Sequence, residues 1–102
     1  MKINVSGHHV DITDAIRNHF DEKFAKIASH YPSLLTLDVI VSKDHNHFYT
    51  EINANYIGVH LSVKGEDEVM YPSIANAAKK LDAALRHRKG QIKANKHEKI
   101  TG

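Results

Sequence analysis

Hydrophobic and polar residues alternate in four stretches of the chain, and two longer stretches repeat with helical period. Ile3 and Val5 alternate with Lys2, Asn4 and Ser6, which predicts a short half-buried strand closed by Gly7. Leu35, Leu37, Val39 and Val41 share one side of a second strand, with Thr36, Asp38 and Ser42 on the other and Ile40 out of pattern. Asp44-His45-Asn46-His47 is a turn, after which Phe48, Thr50, Ile52, Ala54 and Tyr56 resume the alternation. Gly58 marks another turn, and Val59, Leu61 and Val63 form a fourth strand ending at Gly65. Three consecutive strands joined by short turns predict an antiparallel meander.

Between the first two strands, Ile16, Phe20, Phe24, Ile27 and Tyr31 fall on one helical stripe. Thr13 is the expected N-cap, Asp14 suits the positive end of the helix dipole, and Pro32 stops the helix just after His30. A second helix follows the fourth strand, capped by Asp67 or Glu68, with Pro72 in its first turn and Ile74, Ala77, Ala78, Leu81, Leu85 and Ile92 on its core face. It runs to at least Arg88, and Gly90 either ends or weakens it. The order is β-α-β-β-β-α, an α+β fold with a four-stranded sheet and two helices packed on one face. The other face presents Asn4, Ser42, Glu51, Asn53, Asn55, Ser62 and Lys64. Residues 1–92 are expected to form a single domain, and residues 93–102 a basic, flexible tail.

Charge changes this picture more than composition does. The 102 residues carry a net charge of only +2, but eight Lys or Arg against Asp82 and Glu98 give residues 79–99 a charge of +6, leaving −4 elsewhere. Clustered positive charge repels itself unless a polyanion neutralises it. At ~100° per residue, Lys79, Arg86 and Lys93 stack along an outer ridge of the second helix, and Lys80 and His87 make a row beside it. Arg88 lies near the apolar stripe, where its stem can pack while its head reaches solvent. On the first helix His19, Lys23, Lys26 and His30 flank the buried stripe. An ordinary solvated face would intersperse acids at four-residue spacing, and few acids follow Asp82. The basic rows therefore point to nucleic acid.

Catalysis finds little support. No cysteine is present, no G-x-S-x-G elbow occurs, and no glycine-rich phosphate cradle occurs, Gly58 and Gly65 being isolated turn glycines. Nine histidines raise a metal hypothesis, with His45 and His47 beside Asp44 or Glu51, and His8-His9 on the loop before the first helix. A structural zinc site needs four ligands and a catalytic one three, and neither spacing supplies them. The expectation is a protein that is not an enzyme and takes no cofactor, metal or small-molecule substrate. No apolar run approaches the ~20 residues that span a bilayer, and no apolar signal-peptide core follows Met1, so a cytoplasmic protein without membrane contact is expected.

Asp11-Ile12-Thr13-x-Ala15-Ile16-Arg17, then Lys23-x-x-Lys26, then Met70-Tyr71 opening a helix with Lys80-Leu81-Asp82, resemble the short ribosome hibernation promoting factors and the related ribosome-associated inhibitors. The likeness runs in order over essentially the whole chain. It implies a monomeric factor that binds ribosomal RNA of the small subunit, occupies the channel of messenger and transfer RNA, and silences translation in stationary phase or stress. The alternative is a general double-stranded RNA-binding module. Carried over by position, the RNA contacts would be Lys23, Lys26, Lys79, Lys80, Arg86 and His87, to which the charge cluster adds Arg88, Lys89 and Lys93. Ala83 departs from the family pattern, which often has Arg there, and Val69 stands where an Asp commonly precedes Met-Tyr. The basic end, Lys96-His97-Glu98-Lys99, leans toward the hibernation factors, while Val41-Ser42-Lys43 is closer to the inhibitors.

Overall fold

The computed structural model describes the backbone of residues 2–101 and the side chains of residues 2–90. Its elements are β1 (Lys2–His8), α1 (Asp14–His30), β2 (Thr36–Asp44), β3 (His47–Tyr56), β4 (Val59–Asp67) and α2 (Met70–Thr101). The strands lie in the order β1-β2-β3-β4. β1 runs parallel to β2 because α1 carries the chain back between them, and two tight hairpins make the remaining pairs antiparallel. The predicted succession and the meander are both present.

Alternation places Leu37, Val39 and Val41 of β2 and Ile52, Ala54 and Tyr56 of β3 on the covered face. They form one core with Ile16, Phe20, Phe24 and Ile27 of α1 and Ile74, Ala77, Ala78, Leu81 and Leu85 of α2. Phe20 and Phe24, one turn apart, stack with ring centroids 5.7 Å apart. Burying side chains of this size contributes on the order of 1.5–3 kcal/mol each. The opposite face stays polar, so Ile40, which breaks the alternation of its strand, is 39% exposed there. Thr13 caps α1, its hydroxyl accepting from Ile16 N–H at 3.3 Å.

Three local expectations need correction. Leu35 is 71% exposed, and Leu34, at 2%, is the leucine in the core. A turn closed by Leu34 N–H on Tyr31 O (2.9 Å) precedes β2, so the strand's parity does not extend back that far. Gly65 does not end β4. It pairs with Thr50 inside the ladder, and a Cβ there would stand 2.3 Å from Ala77 N and 2.4 Å from Ser73 O. The residue is glycine because α2 lies directly on the strand. Asp67 does not cap α2 directly: its Oδ1 accepts from Val69 N–H (2.9 Å), and the Val69 carbonyl accepts the helical bond from Ser73 (3.2 Å).

The Gly65 approach coincides with the buried hydroxyls Thr50 and Ser73, 3.0 Å apart. Ser73 donates its one proton to Met70 O at 2.6 Å, so Thr50 must be the donor to Ser73. This anchor fixes where α2 sits along the sheet. Beside it, Asn76 and Lys80 reach across to donate to the carbonyls of Glu66 (3.0 Å) and Lys64 (2.7 Å) on β4. α2 continues through Gly90. The expected tail at residues 93–102 and the placements of Ile92 and Lys93 lie outside the described side chains. Among the described residues no helix is long and apolar enough to cross a membrane.

Candidate nucleic-acid interface

Each helix buries one stripe in the shared core, and the stripe next to it is left facing the neighbouring helix. On α1 that stripe carries Lys23, Lys26 and His30. On α2 it carries Lys79, Arg86 and Lys89. His19 meets Tyr71 edge-on near the start of both helices (ring centroids 4.5 Å), and Lys89 Nζ stands 5.6 Å from the Tyr31 ring near the end of α1. The helices therefore run side by side in the same direction, and their basic stripes converge.

Between them lies an open groove of ≈ 580 Å³. Its floor is Ile27, Tyr31, Ala75 and Ala78, and small alanines on α2 leave it open. Among the described residues Lys23, Lys26, Lys79, Arg86 and Lys89 line it together with His30, against Glu22 and Asp82. Five fixed cations against two acids leave a clear positive excess in a concave site, where a phosphate chain gains most from focused potential.

Asp82 is the notable intruder. Its Oδ2 accepts from Arg86 at 2.7 Å, four residues on along the same helix. The pair is exposed and worth at most ~1 kcal/mol. A guanidinium has five N–H donors, so Arg86 can hold Asp82 and still present N–H groups to a phosphate oxygen.

The remaining sequence-predicted residues are placed differently. Lys80 lies on the opposite flank of α2, bonded to the Lys64 carbonyl, and so shields the outer edge of β4. His87, also exposed, does not line the groove. Arg88 is half-buried on the extension of the core stripe, as expected for a packed stem, and its Nε has no partner among the described residues. Lys93 is outside the described side chains. The two basic rows thus flank α2 on different sides, with exposed Ala83 between them, and only the Lys79/Arg86 row shares the groove with α1. Glu22, Asp82 and the cation–π contact of Lys89 with Tyr31 were not singled out from sequence as parts of the site, whereas His30 was placed on the basic stripe of the first helix but not among the RNA contacts. The signal for Asp82 was its four-residue spacing to Arg86, which a charge count alone passes over.

As to metal chemistry, no three His, Asp or Glu side chains converge among the described residues. His45 Nδ1 stands 2.9 Å from Asp44 Oδ1 on the exposed hairpin turn.

Comparison with known proteins agrees with this architecture. A ribosome hibernation promoting factor of Azotobacter vinelandii is 32% identical over 93 residues, 90% of this chain and 87% of that protein. Its counterpart in Escherichia coli K12 is 30% identical over 95 residues, 91% of this chain and 98% of the relative. Among solved structures, the N-terminal domain of Thermus thermophilus Protein Y superposes with a TM-score of 0.74 at 26% identity, covering 84% of this chain and 93% of that one. A ribosomal subunit interface protein from Coxiella burnetii, 22% identical, shares the fold with a TM-score of 0.83 over 88% of this chain and 99% of its own. The family profile described as Sigma 54 modulation protein / S30EA ribosomal protein spans residues 3–93, essentially the whole folded body just described, and the chain belongs to that family.

Proposed function

We propose that this protein is a cytoplasmic, non-enzymatic ribosome hibernation factor. It acts as a monomer, binds ribosomal RNA of the small subunit through the α1–α2 groove, and silences translation under stress or in stationary phase by occupying the messenger and transfer RNA channel. One observation carries the reading: Lys23 and Lys26 from one helix and Lys79, Arg86 and Lys89 from the other line a single open groove. The names of the relatives, ribosome hibernation promoting factors covered nearly end to end, supply the biological setting. Phosphate contacts of this type position the protein on folded RNA without reading its sequence.

Sedimentation with purified small subunits tests the proposal, with expected co-pelleting at low salt and a steep loss as salt rises. Inhibition of translation in a reconstituted system should follow the same salt dependence. Failure to co-sediment at low salt refutes the ribosome reading. Equal competition by an isolated RNA duplex would instead assign the groove to general double-stranded RNA binding.

A further inference from the structure

Where α1 and α2 begin, an aromatic pair stands across the line of the groove. His19 meets Tyr71 edge-on, with ring centroids 4.5 Å apart. We propose that Tyr71, backed by His19, is a stacking platform for one unpaired nucleobase of the RNA whose phosphates occupy the groove. The inference rests on the reading that the groove binds RNA, and adds the kind of nucleotide its mouth accepts.

Helical spacing puts the pair in line with the groove. Tyr71 precedes the lining residue Ala75 by four positions, and His19 precedes Lys23 by four. Four residues make about one turn, a rise of about 6 Å, so the pair sits one turn beyond these lining side chains on both helices. The two rings differ in burial. His19 is half-buried, and its Nε2 is sealed from solvent with no hydrogen-bond partner among the described residues. Tyr71 keeps 41% of its surface exposed. His19 is thus the packed wall, and an edge-on neighbour leaves at least one face of the Tyr71 ring uncovered by it. A lone exposed aromatic is ordinary on a protein surface. One braced at the mouth of a phosphate-binding groove is placed for a base to stack on it.

Charge favours a base over a phosphate at this position. No Lys or Arg occurs from Asp67 to Ala78, and the cations of the α2 wall begin at Lys79. On the facing stripe of α1 they begin at Lys23. Arg17 is exposed, but at ~100° per residue it lies on the opposite side of α1 from His19. The charged residues leading into α2 are the acids Asp67 and Glu68, Asp67 accepting from Val69 N–H at 2.9 Å. A phosphate therefore gains little beside Tyr71 and most farther along, between Lys23, Lys26 and Lys79. A base has a π-face whatever its identity, and stacking does not require the missing positive charge. Along the helices the protein thus offers an aromatic surface for a base and then cations for the backbone. Bases inside a duplex are already stacked on one another, so the platform takes an unpaired nucleotide.

Anisotropy titrations of the full chain with labelled hexaadenylate, beside an abasic ribose-phosphate strand of equal length and charge, test the proposal. Wild type should bind hexaadenylate at least about fivefold tighter than the abasic strand, the lower end of what one base–aromatic stack contributes. Tyr71→Phe keeps the ring and should bind both strands as wild type does. Tyr71→Leu keeps apolar bulk without a ring. It should lose about fivefold or more on hexaadenylate and nothing on the abasic strand, with an unchanged salt slope because the phosphate contacts remain. The chain has no tryptophan, so Tyr71→Trp puts a single fluorescent reporter on the platform. Its emission should be quenched saturably by hexaadenylate and not by the abasic strand, a readout independent of whether Tyr71→Leu folds. The proposal is overturned if wild type shows no saturable binding of hexaadenylate, or if folded Tyr71→Leu binds it as wild type does. Equal losses on both strands overturn it too, as does tryptophan emission that hexaadenylate leaves unchanged. Base-dependent quenching in a protein that does not co-sediment with small subunits would support this site and count against the ribosome reading.

Discussion

Gly65→Ala probes the contact that places one wall of the groove. The added Cβ would stand 2.3 Å from Ala77 N and 2.4 Å from Ser73 O, where ordinary contact begins near 3.4 Å. Relief requires a movement of about 1.1 Å, the difference between 3.4 and 2.3 Å. Both obstacles are helix backbone, so no side-chain tip can swing aside. The strand cannot retreat cheaply either, because Gly65 pairs with Thr50, whose hydroxyl is bonded to Ser73 on the same helix. Overpacking of this kind costs about 1–3 kcal/mol, and two backbone obstacles place it at the upper end. Reduced freedom of the unfolded chain returns roughly 0.4–1 kcal/mol. A net loss of about 2 kcal/mol is expected, which lowers Tm by roughly 8–16 °C in a domain of this size. Circular dichroism melts of wild type, Gly65→Ala and Gly90→Ala provide the assay. Gly90 lies within α2 with nothing within 4 Å of its hypothetical Cβ, so alanine there should stabilise by about 0.5–1 kcal/mol. If Gly65→Ala melts at or above wild type, the close-approach argument is wrong.

Other substitutions separate the groove from the rest of the charge. The K79E/R86E pair should abolish binding to small subunits at physiological salt, and neutral K79Q should reduce the salt slope by about 0.7–0.9 if Lys79 neutralises one phosphate; an unchanged isotherm for the pair refutes the site. Lys80→Gln should change the salt slope less than Lys79→Gln, because the Lys80 ammonium is directed to the β4 edge. Asp82→Asn should tighten RNA binding by removing a groove acid, while shifting urea stability by no more than ~1 kcal/mol, since its ion pair is exposed. Thr50→Val removes the donor to Ser73 with little change in shape, and a loss of about 1 kcal/mol in urea denaturation is expected.

The elements of this fold were legible because each obeys one period. Phe20, Phe24 and Ile27 at helical spacing, and Val39, Val41, Ile52 and Ala54 at period two, name the core without any tertiary knowledge. What could not be read is how far one period extends and what packs on it. Leu35 continued the parity of β2 on paper, yet the turn at Tyr31–Leu34 had already rotated the chain. Gly65 looked like punctuation, yet its missing side chain serves a helix that follows it in sequence. The same limit governs the basic surface. Lys79 and Lys80 are neighbours, and a helical wheel separates them by ~100° without saying which side meets α1. Only the packing of α2 on β4 decides that Lys79 enters the groove and Lys80 guards a strand edge.

The direction of the two helices adds a constraint on how the groove must be tested. α1 ends at His30, where its last carbonyls concentrate the negative end of its dipole. Lys26, His30 and Lys89 line the same end of the groove, with Lys89 over the ring of the capping residue Tyr31. Lys89, over the capping residue, therefore offsets the helix terminus as well as any phosphate, at about 0.3–1 kcal/mol, whereas Lys26 lies before the last turn. Removing Lys89 should lower both stability and RNA affinity, so a binding loss there has two causes. Lys79 lies farther back, beside Ala75 and Ala78, and makes no hydrogen bond or ion pair within the described residues. Lys79→Gln should then leave Tm within about 2 °C of wild type, since surface changes away from specific contacts stay within ±0.5 kcal/mol. Its effect on RNA affinity can be read as the phosphate contact alone. A melting loss for Lys79→Gln as large as that of Lys89→Gln would refute this division of labour along the groove.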